Sequence, residues 1–84
     1  MVISTNDRSF RTSDTALAAY LVSEGYGTPD IEFTNGSRAF FTFQRDNPKI
    51  DTHINSWDTG RAKGNVVMFF QAYQTLLRRI RERY

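Results

Sequence analysis

The residues of this 84-residue chain that could do chemistry are few and dispersed. His53 is its one histidine and there is no cysteine, so a zinc site would lack a second nitrogen or any thiolate donor. His53 falls on the apolar side of a helical pattern, one turn before Trp57, and reads as a structural or half-exposed histidine. Asp51 is two positions away and points elsewhere on that helix, so the two form no dyad. Asp30 and Glu32 share a strand face, as a carboxylate pair for acid–base work would. That face is the polar one, and a solvated surface with Glu32 near Arg38 is the plainer reading. Asp46, Asp51 and Asp58 flank the short helix and suit capping or solubility. Gly25, Gly27, Gly36, Gly60 and Gly64 are scattered among turns, outside any phosphate-cradling loop. The sequence therefore offers no catalytic residue, no metal and no cofactor, and it reads as non-enzymatic.

The one concentration of charge is cationic. Residues 1–60 hold five Lys/Arg against eight Asp/Glu, whereas residues 61–84 hold six against one. Arg78, Arg79, Arg81 and Arg83, with Arg61 and Lys63 upstream, could contact the phosphates of a nucleic acid through counterion release. On a helical wheel, however, the four fan across the polar side, whereas a groove-reading helix would gather them on one stripe. The alternative is that they complement the partial negative charge at a helix C-terminus, each contributing roughly 0.3–1 kcal/mol. The acidic front and basic end also make a homo-oligomer or a protein partner plausible, with Arg38 and Phe40 on the outer face of a hairpin as part of the contact.

These residues must be positioned by a single small domain spanning residues 1–84, because the chain is too short for two. A domain this size hides only about 60–65% of the surface its unfolded chain exposes. Seven Phe, four Tyr and one Trp compensate, since aromatic side chains bury large areas. The missing cysteines suit an intracellular, cytoplasmic setting. No run of apolar residues is long enough for a signal peptide or a membrane span, and no membrane partner is expected.

Residues 1–9 read as polar and flexible, although Ser9-Phe10-Arg11 could add an N-terminal edge strand. Thr12-Ser13-Asp14 marks a helix start, with a hydroxyl accepting first-turn amides and Asp14 favouring the positive end of the dipole. Leu17, Tyr20, Leu21 and Glu24 form its stripe, and Gly25 supplies a left-handed stop. Ile31-Glu32-Phe33 and Arg38–Phe43 form a β-hairpin. A two-residue turn at Asn35-Gly36 would split the apolar set. A three-residue loop, Thr34-Asn35-Gly36 with a left-handed Gly36, pairs Ile31 with Ala39 and Glu32 with Arg38, and gathers Ile31, Phe33, Ala39, Phe41 and Phe43 on one face. Asn47-Pro48 opens a short helix carrying Ile50, His53, Ile54 and Trp57, stopped by Gly60. Asn65 caps a long helix whose apolar stripe is Val66, Phe69, Phe70, Tyr73, Leu76, Leu77, Ile80 and Tyr84. The fold class is α+β: helix, hairpin with a third edge strand in reserve, short helix, and a long C-terminal helix packed on the sheet.

Thr12-Ser13-Asp14, Leu17-Ala18-Ala19-Tyr20-Leu21, Gly25, the aromatic hairpin, Trp57-Asp58-Thr59-Gly60-Arg61-Ala62, and Phe69-Phe70-Gln71-Ala72-Tyr73 leading into Leu77-Arg78-Arg79-Ile80 form a recognisable pattern. Over roughly residues 10–82 the chain resembles a family of short domains of unknown function from bacterial and phage-derived genes. The resemblance implies a fold and a mobile-element context. It carries over no site.

Overall fold

A computed structural model describes residues 9–34, 38–44 and 48–83, the last without the Arg83 side chain. The elements run β1 (Ser9–Thr12), α1 (Thr15–Ser23), β2 (Asp30–Phe33), β3 (Ala39–Gln44), α2 (Lys49–Asp58) and α3 (Val66–Arg83). The architecture is α+β, and the edge strand at Ser9-Phe10-Arg11 is present. All three strands are antiparallel in the order β1-β3-β2, so the aromatic strand β3 lies in the centre.

The hairpin register differs from the expected one by two residues. Ile31 lies opposite Phe41 rather than Ala39, and Glu32 opposite Phe40 rather than Arg38. The cause is Thr34, which belongs to the ladder instead of the loop. Its amide donates to the Arg38 carbonyl at 2.9 Å and its hydroxyl donates to the same oxygen at 3.2 Å. A shift of two preserves the alternation of faces. Ile31, Phe33, Ala39, Phe41 and Phe43 therefore still share one face, joined by Phe10 opposite Phe43. The left-handed Gly36 falls outside the described residues, as do the Asn47 cap and Tyr84.

Both ends of α1 are fixed by local hydrogen bonds. Asp14, rather than a hydroxyl, is the cap: its carboxylate accepts from the Ala16 and Leu17 amides at 3.0 and 3.2 Å. The Thr12 hydroxyl instead accepts from the amide of Asp14, holding the cap in place. At the other end Gly25 has φ +97°, and the Tyr26 amide donates back to the Leu21 carbonyl. Gly60, at φ +74°, ends α2 in the same way, with the Arg61 amide donating to Ser56.

The core is built where α1 meets the sheet and α3. Leu17, Ala18, Ala19, Tyr20 and Leu21 of α1 pack with Phe41, Phe43, Ile50, Ala72 and Leu76. Ala18 and Ala19 are fully buried; with no side chain beyond Cβ they admit a close approach of α3, whose most extensive contact is with α1. Farther along, Arg79 and Glu82 of α3 border β2 at Asp30, Ile31 and Phe33, which places the end of the long helix beside the sheet.

Candidate interaction surface

Helix α3 does not bury the whole stripe that its sequence suggests. Asn65 caps it as expected, accepting from the Met68 amide at 3.0 Å. Ala72 and Leu76 are then only 8% and 2% exposed, and Phe69, Tyr73 and Ile80 pack partly against the core. Val66 and Phe70, expected inside, are 78% and 55% exposed, and Val67 and Met68 stand out beside them. The reason is angular: at about 100° per residue Val66 and Phe70 lie roughly 120° around the helix from the buried Ala72 and Leu76, so a neighbour packed on those two does not cover them. The outward side of α3 carries Val66, Phe70, Tyr73 and Leu77, the last two half-buried.

Next to that surface lies an aromatic ladder. Tyr20 stacks on Trp57 with centroids 5.4 Å apart, Trp57 on Phe69 at 6.2 Å, and Phe69 on Tyr73 at 6.1 Å. The ladder ties α1, α2 and α3 together and floors an open groove of about 470 Å³, also lined by Ala62, Lys63 and Val66. The Tyr20 hydroxyl reaches across to the Lys63 carbonyl at 3.4 Å. Val66 lines the groove and stands on the exposed part of α3, so the two surfaces are continuous.

The histidine has partners that its own helix did not reveal. His53 Nε2 lies 3.2 Å from Glu24 Oε1, and the Tyr26 hydroxyl 2.6 Å from His53 Nδ1. With Nδ1 accepting from the phenol, Nε2 donates to the carboxylate. The Lys49 carbonyl stands 3.1 Å from Nδ1 and accepts from it only when that nitrogen carries a proton. Burial, reinforced by the nearby Glu24 carboxylate, pushes the Tyr26 phenol above its ordinary value, and Tyr20 likewise. A phenol held in its protonated form is a donor rather than a nucleophile, so the arrangement serves as a tie between the end of α1 and α2. A Cβ at Gly64 would meet Glu24 Oε2 at 2.7 Å, so the start of α3 also closes against this carboxylate. The available signal was Glu24 itself, a carboxylate on the apolar stripe of α1. Among the described residues no group of three or more His, Asp or Glu side chains could hold a metal ion.

The cations are not brought together. Arg61 and Lys63 are exposed on the α2–α3 connection, and Arg78, Arg79 and Arg81 are exposed near the far end of α3. The two groups stand roughly 20 Å apart along the helix. Arg79 shares a recess with Asp30 and Glu82, whereas the Arg83 side chain lies outside the described residues. On the outer sheet face Arg38 is exposed, but Phe40 is half-buried because the Arg11 guanidinium sits 4.0 Å from its ring centroid. Arg11 Nε also donates to Glu32 Oε1 at 3.1 Å, taking the role expected of Arg38. The sequence reading missed Arg11, although the alternation of Ser9–Thr12 would have placed it on this face.

The three-stranded antiparallel sheet, the layered helices and the open aromatic groove define a small α+β domain. Over residues 7–82 the chain matches, and belongs to, the family described as Domain of unknown function (DUF5659). Comparison with curated proteins and with solved structures finds no match. No helix among the described residues is long and apolar enough to cross a membrane.

Proposed function

We propose that this domain is a non-enzymatic interaction module that engages a protein partner through the outward side of α3 and the adjoining groove. The observation that carries the reading is the exposure of Val66, Val67, Met68 and Phe70 within about the first turn and a half of α3, next to an apolar groove. Small proteins that display a contiguous apolar patch generally use it for contact. A photo-crosslinking residue at position 70 should give adducts of defined mass in cells, and one at Thr75, on the polar side, should not. Position 70 giving no adduct would remove the proposal.

A second reading is phosphate contact by the exposed Arg78, Arg79 and Arg81, with Arg83, Arg61 and Lys63. Because the cations fall into two groups, the upper group acting alone predicts a log–log salt slope near −3 to −4 on duplex DNA, and both groups together a slope near −5. Affinity at low salt that is undetectable, or unmoved by changing these arginines to Ala, eliminates it.

A further inference from the structure

We infer that the occupant of the outward side of α3 is an acidic amphipathic helix of a partner protein, apolar along its middle and bearing carboxylates at both ends; this rests on the interaction reading above. The surface itself is apolar in the middle and cationic at both ends. Positions 64–77 carry no charged residue. Lys63 lines the groove together with Val66 at one end, and Arg61 is exposed two positions before it. Arg78 and Arg81 are exposed at the other end. At about 100° per residue, Val66, Phe70, Leu77 and Arg81 fall within about 60° of one another around α3, with Arg78 on the flank. Arg81 therefore continues the apolar strip instead of facing away from it. The neighbouring acids are turned elsewhere: Glu24 stands 3.2 Å from His53, and Glu82, the one acid of α3, borders the recess beside β2 with Arg79.

This layout selects the occupant by charge. A second copy of the same surface would set cations against cations at both ends, in either orientation. A bilayer attracts helices whose cations run along the polar face beside the apolar one, whereas the solvent flank here is Gln71, Gln74 and Thr75, all exposed and uncharged. A nucleic acid would engage the cations and leave Val66, Phe70 and Leu77 without an apolar neighbour. A helix with an apolar stripe and acidic end turns matches all three parts, and complementary charge at its ends favours it over other apolar segments. Val66 and Arg81 are about 22 Å apart along the axis, so the partner's two acidic ends stand about 15 residues apart. The groove of about 470 Å³, with Trp57 and Phe69 in its lining, takes an anchoring side chain of that helix.

Selection of random peptides of about 20 residues against the folded domain tests this. The enriched sequences should carry apolar residues at helical spacing with Asp or Glu in both end turns. Trp57 is the one tryptophan and lines the groove, so its emission should shift when a tryptophan-free peptide of that set binds. Reversing both ends, with Lys63→Glu and Arg81→Glu together, should weaken that peptide at least about tenfold and, in a fresh selection, enrich basic ends instead. Phe70→Gln should also weaken it at least about tenfold, and Thr75→Gln should leave it unchanged. Matching thermal melts verify that each variant is folded. No enrichment, enrichment without acids at both ends, or an affinity unmoved by the charge reversal overturns the inference. Tighter binding to phosphatidylcholine vesicles containing phosphatidylserine, or to duplex DNA, than to any enriched peptide overturns it too. If position 70 still gives adducts in cells, each of these results leaves the broader interaction reading standing; without adducts both are removed.

Discussion

The inward and outward sides of α3 are written in similar residues and end in opposite surroundings. On one side Ala72 and Leu76 meet Ala18 and Ala19 of α1; on the other Val66 and Phe70 meet solvent. Hydrophobicity does not distinguish them, since Phe70 is more apolar than Ala72. What separates them is the neighbour each can reach. Small residues on both helices let two backbones approach closely, and Val66 and Phe70 lie too far around α3 to share that approach. An apolar stripe thus specifies a contact only over the part of its width that a neighbouring element covers.

The largest effect should come from emptying the inward side. Leu76→Ala removes a side chain that is 2% exposed and should cost about 2–5 kcal/mol in a urea titration. A loss below 1 kcal/mol would mean the inward seam is less tightly packed than the burial implies. Filling the same seam with Ala72→Leu should push α1 and α3 apart and cost about 1–3 kcal/mol, whereas a gain in stability would reveal slack between the helices.

Alkaline pH tests the aromatic ladder beside that seam. The folded Tyr20 and Tyr26 phenols titrate above the ordinary value of 10.0, so the unfolded chain loses these protons first. Stability from this source is complete below pH 10 and declines as pH rises through the folded values. Denaturant midpoints at pH 8 and 11 should therefore differ, and Tyr20→Phe should reduce the difference. An unchanged difference in that variant would assign the alkaline loss to other groups.

The smallest effect is expected on the outward side. Val67→Thr and Phe70→Gln, both at exposed positions, should leave monomer stability within about 0.5 kcal/mol. A loss comparable to that of Leu76→Ala would abolish the contrast between the two sides.

The elements were legible in the sequence wherever local chemistry decides them. Gly25 and Gly60 stop their helices with positive φ, Asn65 caps α3, and the alternation of Ile31, Phe33, Ala39, Phe41 and Phe43 identifies the buried sheet face. The family resemblance was legible for the same reason, because its landmarks are core and cap positions. Properties that depend on distant segments were harder to read. The hairpin register turned on whether Thr34 joined the ladder or the loop, a choice that the apolar alternation alone leaves open. Arg11 and Glu32 are 21 positions apart, and Tyr26 and His53 are 27 apart, so neither pair could be read from spacing along one element. The exposed side of α3 differs from the expectation because periodicity reports which residues share a stripe but not how much of its width a neighbouring helix covers.

The Arg11 side chain has a consequence for solubility during and after folding. Among the described residues β1 and β2 are the edges of the sheet, and an uncovered aromatic on the outer face, such as Phe40 of the central β3, is a surface against which a second sheet can stack. By lying over Phe40 and bonding to Glu32, Arg11 links all three strands on this face and holds a positive charge over its aromatic. A charge held there disfavours such stacking.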